Sequence, residues 1–177
     1  RFIKNDKLGG RAVFTLLREK DTGHLWIGSL GGGLFHHEKS SEGGAVTVYR
    51  HDPDDPHTMG GDKVSSLFED RLGRLWVGTF DGGLSRLDPD SSRFIHYRHD
   101  PKDSDSLSSD SVRGIVEDDQ GRLWVGTTDG GLNRLDFEPG RFERFAHPPG
   151  DASGLSRHRV WSLFVACAGW LWIGPDN

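Results

Sequence analysis

The chain has 177 residues, a formal net charge of −5, 25 glycines, ten phenylalanines and six tryptophans, with mean hydropathy −0.59. That balance excludes a nucleic-acid surface, which needs a concentrated basic face. Cys167 stands alone, which excludes an intrachain disulfide and decides neither periplasm nor cytoplasm.

The chain opens without a charged-then-apolar leader, as a mature chain would. Its first residues, Arg1-Phe2-Ile3-Lys4-Asn5, are similar to Arg93-Phe94-Ile95-His96-Tyr97 and Arg141-Phe142-Glu143-Arg144-Phe145. A motif then recurs four times: Val13…Gly23-His24-Leu25-Trp26-Ile27-Gly28, Val64…Gly73-Arg74-Leu75-Trp76-Val77-Gly78, Val112…Gly121-Arg122-Leu123-Trp124-Val125-Gly126 and Val160…Gly169-Trp170-Leu171-Trp172-Ile173-Gly174. The last tryptophan of each copy follows its predecessor by 50, 48 and 48 residues. A fixed period of that size marks a repeat architecture.

Each copy reads as short strands. In the second, residues 64–69 form a β-run, and Asp70-Arg71-Leu72-Gly73 has turn composition. Residues 75–79 form the next strand, closed by Asp81-Gly82-Gly83, where glycine accepts the positive φ of a hairpin turn. Residues 84–88 follow, and Phe94-Ile95-His96-Tyr97-Arg98 alternates like a half-exposed strand. These are four antiparallel strands, named a to d. A four-stranded sheet of this size cannot bury its own apolar faces, and radial stacking of copies can, so the spacing predicts an all-β chain folded as a β-propeller. Strand b, apolar at consecutive positions, is covered on both faces; the glycine ending it admits a neighbouring blade, and the recurring tryptophans fill the space between blades.

Complete blades are predicted over residues 12–51, 64–99 and 112–147, with an orphan outer strand at 1–5 and a partial blade at 160–174. Residues 160–174 carry no charge, but fifteen residues fall short of the roughly twenty a spanning helix needs. They align with strands a and b, so no membrane segment is read. Closed propellers have 4–8 blades. This segment is therefore part of a larger propeller or one completed by self-association, most simply a two-fold dimer.

The run Val-x-x-Ile/Leu-x-Glu-Asp-x-x-Gly-x-Leu-Trp-Val-Gly-Thr-x-Asp-Gly-Gly-Leu, fullest at residues 112–132, resembles the two-component-regulator propeller repeat. Asp100-Pro101-Lys102-Asp103-Ser104-Asp105-Ser106-Leu107-Ser108 is similar to that family's approach to strand a. The resemblance implies the extracytoplasmic sensor propeller of a hybrid histidine kinase or diguanylate cyclase, on the periplasmic or extracellular side of a bacterial membrane. It implies a non-enzymatic module that passes ligand or partner binding through a following domain and a membrane helix. The signalling output is not legible here, because no kinase, cyclase or transmembrane segment is read in these residues. The fourth copy departs from the pattern, with Val165-Ala166-Cys167-Ala168 where the third has Glu117-Asp118-Asp119-Gln120, and Pro175 for Thr127. Kelch repeats place tryptophan after the Gly-Gly pair, and WD repeats end in Trp-Asp. The streptogramin-lyase propeller shares Gly-x-Leu-Trp strands and keeps an enzyme reading open; a passive protein-interaction scaffold is the third alternative.

His51, His99 and His147 recur at 48-residue steps and read as framework ending strand d, while the acids after them thin out as in a solvated loop. His36 and His37 read as exposed strand residues. Cys167 near His158 lacks an oriented base or oxyanion donor, and no Gly-x-Ser-x-Gly elbow occurs, so no catalytic residue, cofactor or metal site is predicted. Candidate ligand-binding residues come from positions that vary between copies. The residue after the opening valine changes from Phe14 to Ser65, Arg113 and Trp161, and the residue before the glycine turn changes from Leu30 to Phe80 and Thr128. Strand c begins with Phe35, Ser85 or Asn133 after its fixed leucine. Aromatics, an arginine and small polar groups at equivalent places suit a small polar ligand, saccharide-like or peptide-like, or a protein partner. They would vary equally if they were merely exposed.

Overall fold

The computed structural model describes residues 11–40, 44–137, 140–145, 159–166 and 170–175. The run read as an orphan strand at 1–5, and His147, His158 and Cys167, lie outside the described residues. Within them every regular element is a strand. The first sheet holds β1 (Val13–Arg18), β2 (Leu25–Ser29), β3 (Leu34–His37) and β4 (Val46–Tyr49). The second holds β5 (Val64–Glu69), β6 (Leu75–Thr79), β7 (Leu84–Leu87) and β8 (Phe94–Tyr97). The third holds β9 (Val112–Glu117), β10 (Leu123–Thr127), β11 (Leu132–Asp136) and β12 (Arg141–Phe145), and the fourth β13 (Val160–Val165) and β14 (Leu171–Pro175). Consecutive strands pair antiparallel in every sheet, and each β1-type strand contacts its successor, β1 with β5, β5 with β9 and β9 with β13. The chain is a partial β-propeller with those strands innermost.

Packing between blades follows from two residues per repeat. A Cβ on Gly28, Gly78 or Gly126 would lie 2.6, 2.6 and 2.4 Å from Cγ1 of Val64, Val112 and Val160, the opening valine of the next blade. Only glycine permits that approach. The three valines are buried in consequence, while Val13, which has no described blade before it, is 46 % exposed. The tryptophans behave the same way. Trp26 and Trp76 are buried in the two interblade cores, the second with Leu84, Leu107, Ile115 and Leu135. Trp124 is only half-buried, facing a two-stranded blade, and Trp172 is 65 % exposed. The expectation that every recurring tryptophan fills an interblade space therefore holds for two copies and fails for Trp172, because burial is conferred by the following blade.

The connections from strand d to strand a form tied loops. Nδ1 of His51 lies 2.7 Å from the Met59 carbonyl, and Nδ1 of His99 lies 2.8 Å from that of Leu107. Asp62 and Asp110 accept the backbone N–H of His51 and His99, and their own carbonyls accept from Gly33 and Gly83 at the b–c turns. At those turns Gly33, Gly83 and Gly131 take φ of +78°, +75° and +78°.

Candidate functional site

Each innermost strand begins with a register break. Val13 pairs with Ser29 and Thr15 with Gly28; Val64 pairs with Thr79 and Ser66 with Gly78. The third and fourth blades repeat the break at Val112/Gly114 and Val160/Ser162. The residue skipped each time is Phe14, Ser65, Arg113 or Trp161. A β-bulge re-aims the side chain it carries, and bulges concentrate beside functional sites. The sequence variation at these positions thus falls on residues released from strand pairing.

Three of the four bulge residues form a continuous row with Phe80, in the order Phe14, Phe80, Arg113, Trp161. The Phe14 and Phe80 rings sit edge to face, with centroids 5.3 Å apart. The Arg113 guanidinium stands 4.5 Å from the Phe80 ring and 4.1 Å from the Trp161 ring, sandwiched between two π faces. Its Nε donates to Oγ1 of Thr128 at 3.2 Å, and Thr128 shares a 2.8 Å hydrogen bond with Ser111. Partial burial draws the guanidinium below its ordinary pKa, yet it stays charged at any neutral pH. Among the described residues no carboxylate pairs with it. Its terminal N–H groups are therefore charged donors with no carboxylate partner among the described residues. Phe14 and Trp161 are 48 % and 47 % exposed, so the row is open to solvent at both ends.

The other candidates divide. Thr128 belongs to the row, and Leu30 is an exposed turn residue whose N–H donates to the Ala12 carbonyl. Ser65 is buried, and its hydroxyl donates 2.6 Å to the Val112 carbonyl, so its polar atom is engaged between blades. Phe35, Ser85 and Asn133 are fully buried and cannot line a surface pocket.

A second cluster, at the opposite ends of the same strands, escaped the sequence reading. Asp70 accepts from the N–H of Leu72 and Arg74 through Oδ1, and from Arg74 Nε (2.6 Å) and Trp76 Nε1 (2.9 Å) through Oδ2. Asp118, Arg122 and Trp124 repeat this arrangement. Burial by itself would raise these carboxyls, but the donors of Trp76 and Arg74, and of Trp124 and Arg122, outweigh it and hold both below the usual carboxylate range. A second arginine faces each indole across the strand pair, Arg86 opposite Trp76 and Arg134 opposite Trp124. Blades are also laced together here: Lys20 and Arg71 reach the Glu69/Asp70 and Glu117/Asp118 segments of the next blade. In blade one the cluster differs. Glu19 replaces the aspartate, His24 the first arginine and His36 the second, so the half-buried His36 is not an exposed strand residue but is stacked on Trp26, with centroids 4.0 Å apart. Aligning the four copies at these positions exposes the exchange.

Residues 58–81 and 106–129 match the family model of the two component regulator propeller. Among curated proteins none matches the chain in sequence. Among solved structures, the extracellular domain of hybrid two component system BT3049 from B. thetaiotaomicron is similar with a TM-score of 0.75 at 23 % identity, over 92 % of this chain and 21 % of that one. The extracellular domain of one component system BT4673 from the same organism is similar at 0.75 and 22 %, over 95 % and 23 %. Virginiamycin B lyase from Staphylococcus aureus is similar at 0.67 and 18 %, over 94 % and 50 %. The chain spans about a fifth of the length of the two extracellular domains. At these identities the likeness is one of fold.

Proposed function

We propose that this chain, built of two component regulator propeller repeats, is a ligand-recognising propeller segment of an extracytoplasmic bacterial receptor and performs no chemistry of its own. The observation that carries the reading is the Phe14–Phe80–Arg113–Trp161 row. Bulges project Phe14, Arg113 and Trp161, the repeat framework leaves all four positions free to vary, and the row presents a guanidinium flanked by aromatic faces. A saccharide or short peptide suits it, with a carboxylate or hydroxyls on Arg113 and Thr128 and an apolar face on Trp161 or Phe14. The row consists of rings, a guanidinium and a hydroxyl, none of which is a general base at neutral pH. The fold likeness to a lyase keeps a second reading in view, in which this face would need a clustered acid–base set. The description of two similar structures as extracellular domains supports the extracytoplasmic location.

The test is a screen of acidic oligosaccharides and short peptides, followed by calorimetric titration of an Arg113→Ala/Trp161→Ala variant. Trp and Arg dominate binding hot spots. The double variant is expected to keep its circular dichroism spectrum and lose binding. Unchanged affinity would return the chain to the scaffold reading.

A further inference from the structure

We propose that blade one carries a divalent transition-metal site, with Zn²⁺ as its natural occupant, formed by the Glu19 carboxylate, His24 Nδ1 and His36 Nε2. The three residues come from different parts of one blade: Glu19 just after β1, His24 just before β2, His36 within β3. Their ligand atoms all lie within 4.8 Å of one another. His36 Nε2 is 3.3 Å from Glu19 Oε1, and His24 Nδ1 is 3.7 Å from Oε2. Zinc bonds of about 2.0–2.2 Å place ligands about 3.3–3.5 Å apart at tetrahedral angles, so the His36 Nε2–Oε1 edge is already near that length, while His24 approaches the other carboxylate oxygen. Two histidines and one glutamate, with a position left for water, form a known zinc ligand set.

Two further observations point to a cation here. First, His36 Nε2 is buried and faces the Glu19 carboxylate at 3.3 Å without hydrogen-bond alignment. A metal between the two would satisfy both groups. Second, the charge balance differs from the equivalent blades. In blades two and three two arginines flank the indole that the carboxylate binds, Arg74 with Arg86 and Arg122 with Arg134, the last also pairing with Glu143. In blade one both are imidazoles, and among the described residues only these histidines lie within ion-pair distance of Glu19. A divalent ion would supply positive charge where the other blades place arginine. The carboxylate is oriented by its own neighbours: Trp26 Nε1 donates to Oε1 at 2.6 Å, and the Thr22 hydroxyl donates to Oε2. Such outer partners hold a ligating carboxylate in place. The ion would tie β1, β2 and β3 together where the other blades use arginine. It lies beyond the far end of β1 from Phe14, about 16 Å away over five residues at roughly 3.3 Å each, so it is separate from the aromatic–arginine row.

The test titrates the chelator-treated 177-residue chain with ZnCl₂ by calorimetry and follows thermal unfolding. One equivalent is expected to bind and to raise Tm, saturating at that ratio. Co²⁺ in place of Zn²⁺ should give visible absorption of a tetrahedral nitrogen–oxygen site. His24→Arg/His36→Arg recreates the framework of blades two and three, and should fold, match or exceed the metal-free Tm and lose the zinc response. Glu19→Gln should bind at least about tenfold more weakly, and decides the matter alone if the double variant does not fold. No zinc binding by the unaltered chain, or one-equivalent binding that survives these substitutions, would overturn the proposal.

Discussion

Replacing Trp76 with alanine should be among the most damaging single changes in this chain. The side chain is wholly inaccessible, its ring lies 5.7 Å from Tyr97 and 5.8 Å from Phe137, and its N–H donates to the Asp70 carboxylate. Truncating a buried tryptophan costs about 3–5 kcal/mol through lost transfer energy and the cavity left behind. The hydrogen bond to a charged acceptor adds about 1.5 kcal/mol or more, softened because Arg74 still satisfies Asp70. A total near 5 kcal/mol approaches the whole stability of a marginal domain. Trp76→Phe separates the contributions: it keeps most of the ring and loses the N–H, for about 1–2 kcal/mol. Trp172 is the internal control, because Ala166 stands where an aspartate would receive its N–H and nothing described covers its ring. Trp172→Ala should cost less than about 1 kcal/mol. Urea unfolding followed by circular dichroism, at concentrations where scattering shows single copies, measures all three. A Trp76→Ala loss under about 1 kcal/mol, or a Trp172→Ala loss as large as that of Trp76→Ala, would refute burial by the following blade.

The depressed Asp70 and Asp118 carboxyls make stability pH-dependent: their contribution is complete above the unfolded carboxylate pKa of about 4 and falls away as pH drops through the folded values. The urea midpoint should therefore decline steeply below about pH 4, and Asp70→Asn should flatten that decline while lowering the midpoint at pH 7; parallel curves would disprove it. Gly126→Ala sets a Cβ 2.4 Å from Val160 and should destabilise by about 1–3 kcal/mol through overpacking; an unchanged Tm would show that the blades can separate freely. Exposed Val13 and Leu16 on the first blade and exposed Phe164 and Trp172 on the last are apolar interblade surface, so the isolated chain should self-associate at micromolar concentration. Phe164→Glu should weaken that association, and a strictly monomeric chain by light scattering would argue against it.

The repeat period, the order of strands and the identity of the packing residues were legible in the chain because framework obeys local rules. Leu-Trp-Val/Ile-Gly recurs since strand b is covered on both faces wherever a blade follows it, and Asp-Gly-Gly recurs since the turn needs positive φ at its second glycine. The histidines of the d–a loops were also readable as framework, and His51 and His99 are fixed to backbone carbonyls.

Three features needed the fold. Alternation along residues 112–117 contains no sign that Arg113 leaves the ladder, because a bulge is set by pairing with β10. Variation alone could not separate Arg113 and Trp161, which reach the surface, from Ser65 and Ser85, which are buried. Nor could spacing reveal that Glu19, His24 and His36 converge, since β3 arrives from a different part of the blade. By itself the sequence determined the unit, four strands in a fixed order that cannot bury their own faces. Tertiary structure decided which copies of each residue are covered, because that depends on the neighbouring blade, and which polar groups meet, because strand pairing joins residues a turn or more apart along the chain.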